Sequence, residues 1–229
     1  MRHFYRIISL LAVAGVFGGV AHAHVGASGQ LTAGSSGIVT FGVGHGCDGA
    51  DTVRLRIEIP EAVTSVRGLT SAWGEGTFER DDTDRVVAVT FEKAEARERD
   101  DQYYQFSLRV GAPDAPFTTL YFPATQTCRD SEGTETEVEW RAMVSHDDHT
   151  TDENPAASVM VFPPRTPGWN HYVAPDHLHD LSIFADARIV WVGTAAYSAN
   201  AETAALIESD PDVTTLAEIH PDSEIWVLY

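Results

Sequence analysis

Between residues 36 and 162 apolar and polar side chains alternate in short runs, each broken by a Gly-, Pro- or Asp-rich turn. In "VRLRIEI" (53–59) Val53, Leu55, Ile57 and Ile59 alternate with Arg54, Arg56 and Glu58, the period of two that marks a strand with one buried face. "GIVTFGV", "RVVAVTF", "YYQFSLRV", "TTLYFPA", "EVEWRAMV" and "SVMVF" follow the same habit. Short strands of this number, separated by turn residues, predict a mainly β fold, an immunoglobulin- or fibronectin-like β-sandwich.

After "FPPRTPGWN" (162–170) the pattern changes. "PDHLHDLSIFADA" spaces Leu178, Leu181 and Phe184 as a helix would, and "NAETAALIESDP" predicts a helix entered at Asn200 and stopped before Pro211. "RIVWVG" and "EIWVLY" read as strands around them. Residues 164–229 are therefore expected to form a small C-terminal α+β extension on a sandwich spanning 24–163.

The amino terminus carries different information. Arg2 and Arg6 precede the apolar run "IISLLAVAGVFGGV", and Ala21-His22-Ala23 forms a small-x-small cleavage site. This is the make-up of a secretory signal peptide over 1–23 rather than of a membrane span, and no later stretch approaches the roughly 20 apolar residues a spanning helix needs. Cleavage after Ala23 would leave His24 as the first residue of a periplasmic or secreted protein.

Charge narrows the partners. The chain has 15 Lys and Arg against 34 Asp and Glu, and the leader holds two of the Arg and none of the acids, so the mature chain balances at −21. Nucleic acid and anionic lipid both need basic footprints, so neither is expected as a partner, whereas cations would be mildly concentrated nearby. Cys47 and Cys128 are the only cysteines. In an exported protein such a distant pair reads as a disulfide, worth about 4–5 kcal/mol in the chain-entropy model. The other reading, two thiolates on copper or zinc, lacks the close spacing such sites usually show.

Four stretches taken together, "HV…AGS" from His24, "HGCDGADTVRLRIEIPEAV" (45–63), "TTLYFPATQTC" (118–128) and "EVEWRAM" (137–143), resemble the YcnI-type copper-binding domain of bacterial exported proteins. The resemblance covers about 24–163, and the tail resembles an extension carried by some members. It implies a β-sandwich that holds Cu(II) at a processed N-terminal histidine, through the α-amine and imidazole of His24, with a tryptophan beside the metal. In members without the cysteine an acidic residue near the first turn completes the site. This chain departs there with His45-Gly46-Cys47, and with Gly44 where a proline is expected.

The ligand after His24 is accordingly open between His45, Asp48, Asp51 and Glu139. His45 continues the parity of Val39, Phe41 and Val43 and, if the strand persists, would leave the sheet on its inward side; as a plain structural residue it would bond the turn around the disulfide. Trp140 shares a face with Val138 and reads as a core tryptophan on periodicity alone, a common sandwich feature. The resemblance instead sets Trp140 beside the metal, while Glu139 points to the opposite face. Asp48 and Asp51 are also ordinary turn residues. His146, Asp147, Asp148 and His149 read as a solvated loop with weak cation affinity. His177 and His179, two apart on an expected helix, would diverge and make a poor chelate.

No Gly-x-Ser-x-Gly elbow, His-Glu-x-x-His or Gly-rich phosphate loop is present, so no catalytic residues are expected. The function expected is that of a copper carrier or buffer without a reaction of its own, its partners the copper ion and other periplasmic or inner-membrane copper proteins. The alternatives are a copper monooxygenase of the type that begins on a histidine, and a sandwich that serves only adhesion or assembly.

Overall fold

The computed structural model describes residues 24–143 and 154–229; the expected leader and the His146–His149 loop lie outside them. Its first strands are β1 (Val25–Ser28), β2 (Leu31–Thr32), β3 (Ser36–Val43), β4 (Asp51–Glu58), β5 (Thr64–Gly68) and β6 (Thr77–Arg80). β7 (Val86–Glu92), β8 (Tyr104–Gly111), β9 (Thr119–Phe122), β10 (Ala124–Arg129), β11 (Glu135–Trp140) and β12 (Ala157–Phe162) complete the sandwich. One sheet runs β1-β3-β8-β5 and the other β11-β10-β4-β7-β6, with β2-β12-β9 closing one side.

Alternation decides which face goes inward. Val53, Leu55 and Ile57 of β4 are buried, and Leu55 and Ile57 join Phe41, Phe106 and Phe122 in the inter-sheet core. Arg54 and Arg56 project outward and pair with Glu92 and Glu79, exposed ion pairs of small energetic weight. "TTLYFPA", expected as one strand, is two. Pro123 lacks the N–H needed to continue a ladder; before it β9 pairs with β12, and after it β10 pairs with β4 and β11.

The extension builds a sheet of its own from β13 (Trp169–Val173), β14 (Ile189–Val192), β15 (Ala195–Tyr197), β16 (Thr214–Thr215) and β17 (Glu224–Leu228), in the order β13-β17-β14-β15-β16. Helix α1 (Ala201–Ser209) starts where expected, because the Asn200 carboxamide oxygen accepts from the N–H groups of Glu202 and Thr203, both at 3.0 Å. The other expected helix shrinks to one 3-10 turn, Leu181–Phe184, while Leu178 sits in a β-bridge with Ile219. The extension has its own core, and Phe117 joins it from the sandwich, its ring 5.6 Å from those of Phe184 and Tyr172. Among the described residues no helix is long and apolar enough to cross a membrane.

A buried polar knot secures the start of β4. Asp51 accepts from Lys93 Nζ and the Arg97 N–H, both at 2.6 Å, and from the Tyr104 hydroxyl at 2.7 Å. Burial, with Asp51 beside it, pushes the Tyr104 phenol well above its ordinary range. Lys93 also lies over the Tyr104 and Trp73 rings, 4.4 and 5.1 Å from their centroids. Removing one member of a buried pair strands the other's charge. Asp51→Ala should therefore lower unfolding free energy by about 3 kcal/mol in chemical denaturation; a loss under about 0.5 kcal/mol, the scale of a surface change, would show the knot to be decorative.

Candidate metal site at the sandwich edge

His24 stands where the first sheet begins. In the β1–β3 ladder Val25 faces Val43 and Gly26 faces Gly42, so one further step sets His24 across from Gly44, next to His45. The His24 ring lies against Gly26, and the absence of a side chain at Gly42 makes room for Tyr103. A Cβ on Gly26 would lie 3.6 Å from His24 Cδ2, and one on Gly42 would collide with the Tyr103 hydroxyl. The exposed His24 imidazole meets the Trp140 ring edge-on, with centroids 5.6 Å apart and planes at 87°.

Trp140 comes from the other sheet. It ends β11, only 3% exposed, and points inward as its parity requires, whereas Glu139 points out and pairs with Arg141 at 3.2 Å. Arg141 also forms a two-pronged bond to Glu58, at 2.8 and 3.0 Å, which fixes the strand end and holds the Glu58 carboxyl below its usual range.

One buried amide links Trp140 to the His45 turn. The Trp140 indole N–H donates to Gln126 Oε1 at 3.2 Å, and Gln126 Nε2 donates to the His45 carbonyl at 2.9 Å and to Thr52 Oγ1 at 2.8 Å. Gln126 is wholly buried. Two residues along on the same strand, Cys128 forms the disulfide with Cys47, Cα atoms 5.7 Å apart. Neither cysteine is therefore a thiolate ligand. The turn around Cys47 is tight: a Cβ on Gly46 would collide with the Ala50 carbonyl, and the Gly46 N–H donates to Asp100 Oδ2 at 2.7 Å.

The structure brings His24, Trp140 and the His45 turn to one end of the sandwich, but it corrects the course of His45. β3 stops at Val43, so the inward parity does not carry through Gly44. The His45 side chain is 57% exposed, with Nδ1 3.7 Å from Asp100 Oδ2. Asp51 is committed to Lys93, Tyr104 and the Arg97 N–H, and its side chain is buried. Asp48 holds a left-handed turn position, φ 50°, and is exposed. Gln126 and Asp100 were missed from sequence. An inward polar residue between Ala124 and Cys128 was the available signal for Gln126; nothing local marks Asp100 within its acidic run.

His177 and His179 do not diverge. With no helix there, both flank Leu178 in extended backbone and their rings lie 4.0 Å apart. The extension sheet also carries an aromatic strip unforeseen in the sequence: His171, Trp226 and Trp191 are cross-strand neighbours, with Trp169 beside them and 55% exposed.

Residues 22–161 match the family model described as domain of unknown function DUF1775. The chain belongs to this family. YcnI-type domains are part of it, so the resemblance seen in the sequence holds at that level. No curated protein matches the chain. Among solved structures it is similar to an uncharacterized protein from Nocardia farcinica with an immunoglobulin-like fold, at 26% identity, TM-score 0.50, and coverage of 60% of this chain and 97% of that one. A cohesin module from a Clostridium perfringens family 33 glycoside hydrolase follows at 10% identity and TM-score 0.36, covering 62% and 98%. The major pilin subunit BcpA of Bacillus cereus has 7% identity and TM-score 0.35, covering 66% and 43%. The last two likenesses are too weak to inform function.

Gln126→Leu keeps the volume of the buried side chain but orphans the Trp140 N–H and the His45 carbonyl. Stability should fall by about 2 kcal/mol, the cost of buried unsatisfied groups, and the Trp140 emission should change. An unchanged spectrum and stability would show that the amide does not join the two sides of the site.

Proposed function

We propose that this DUF1775 protein is an exported Cu(II)-binding protein of copper homeostasis or trafficking, carrying the ion at a processed N-terminal His24. The supporting observation is the placement of His24: exposed, at the sheet edge, against Trp140 and over Gly26. A first-position histidine offers an amine and an imidazole from one residue, and nitrogen donors in a tetragonal set suit Cu(II). Copper is the cargo here. Trp140 would form the wall of the site, edge-on to the His24 imidazole.

His45 is the proposed further ligand. Asp100 lies on its Nδ1 side, which leaves Nε2 for the metal and follows the habit of carboxylates behind metal-bound imidazoles. The disulfide suits an oxidising compartment, which supports export. The protein's part is to bind and hand on copper, with no reaction of its own.

The aromatic strip of Trp169, Trp226 and Trp191 favours a second reading, a copper monooxygenase acting on polysaccharide, because such enzymes meet their substrate on aromatic surfaces. The strip belongs to the extension sheet and not to the edge that bears His24. Peroxide-driven release of oxidised products from chitin or cellulose would establish that reading; their absence supports the carrier.

Placing one Gly before His24 moves the amine out of the chelate and leaves fold and imidazole intact. Cu(II) affinity should fall at least about tenfold, ~1.4 kcal/mol, in a competition titration. His45→Ala should weaken binding and remove one nitrogen from the EPR hyperfine pattern, whereas Asp48→Ala and Glu139→Ala should do neither. Equal affinity with and without the added Gly would sink the terminal site; a larger loss from either carboxylate variant would transfer the ligand role from His45.

A further inference from the structure

A second group of donors lies in the extension. Leu178 and Ile219 form an isolated antiparallel bridge, their backbones exchanging hydrogen bonds at 2.8 and 2.9 Å, and both side chains are buried in the extension core. Side chains alternate along extended backbone, so the residues flanking a buried pair must emerge together on the other side. Those residues are His177 and His179 on one segment and Glu218 and His220 on the other. Below them the Asp222 N–H donates to the Ala174 carbonyl at 2.9 Å and the Ala174 N–H to the Ser223 carbonyl at 3.0 Å, so the two segments are held in register.

The donors converge on one carboxylate. Glu218 Oε2 lies 3.5 Å from His177 Nε2 and 3.2 Å from His179 Nδ1, and Oε1 lies 3.7 Å from His220 Nε2. One ligand atom from each of His177, Glu218 and His220 can be chosen so that all lie within 4.8 Å of one another, the only such group of His, Cys, Asp and Glu among the described residues. Donors about 2.0–2.1 Å from a tetrahedral Zn(II) stand about 3.3 Å apart, close to these separations. The His177 ring is 4.0 Å from that of His179 and 4.6 Å from that of His220.

We propose that His177, Glu218 and His220 bind a divalent transition-metal ion of the Zn(II) class, with His179 positioning the Glu218 carboxylate. Two imidazoles and a carboxylate are a borderline donor set that favours Zn(II), Co(II) or Cu(II) over Mg(II) or Ca(II), which take oxygen ligands. Three protein ligands leave a further position open. His220 is 67% exposed and Glu218 44%, so an ion reaches the site from solvent without unfolding. The site is independent of any copper held at His24.

The test uses the chain beginning at His24 and the same chain with one Gly placed ahead of it, each titrated with Zn(II) against a chromophoric chelator and with Co(II) as a visible probe. Both forms should bind one Zn(II) equivalent in the extension and give Co(II) d–d bands. His220→Ala and Glu218→Gln, made in the Gly-extended chain, should each lower Zn(II) affinity at least tenfold and abolish the bands, with metal-free circular dichroism and melting temperature unchanged. His179→Ala should weaken binding less than either. Zn(II) and Co(II) binding that is the same in the parent and in both ligand variants, or no binding by the Gly-extended parent at millimolar metal, overturns the proposal. Neither result bears on copper at His24, since the added Gly has already removed that chelate.

Discussion

The buried carboxamide of Gln126 holds together the end of the sandwich that carries His24, the His45 turn and Trp140. At this end of the sandwich the last residue of β11 and the loop after β3 have no ladder to tie them together. Gln126 supplies that tie with three bonds, one from the Trp140 indole, one to the His45 carbonyl and one to Thr52. The disulfide at Cys128 clamps the same strand to the same turn. The β1–β3 register delivers His24 to the edge, and the glycine at 42 leaves space for the Tyr103 ring.

Much of the sandwich was legible because a half-buried strand imposes a period of two, which "VRLRIEI" and "EVEWRAM" display openly. Trp140 inward and Glu139 outward followed from the same rule. β1, β5 and β6 were less visible, since short edge strands bury few side chains and leave little alternation to read. His45 departs from the parity of Val39, Phe41 and Val43 because parity holds only while the strand lasts, and β3 stops at Val43 before a Gly-rich turn. Asp51 looked like a turn residue; its partners Lys93 and Tyr104 lie some forty to fifty residues away, and no local pattern announces such pairing.

The extension shows the converse error. Leu178, Leu181 and Phe184 have helical spacing, yet Leu178 is buried through a bridge to Ile219, forty-one residues on, and Leu181 and Phe184 through one 3-10 turn. Burying the same residues by a different backbone reverses the reading of their neighbours. On a helix His177 and His179 would point apart; in extended backbone they point together, toward Glu218 and His220. A metal site of this kind is invisible to a search for fixed sequence spacing, because its two halves meet only through tertiary pairing.

The proposed function requires copper at the amine and imidazole of His24. Anomalous diffraction at the copper edge, on crystals of the chain beginning at His24 grown with one equivalent of Cu(II), tests it most directly. The principal peak should lie within bonding distance of both nitrogens of His24, beside the Trp140 ring. A principal peak at His177, Glu218 and His220, or none near His24, would contradict it.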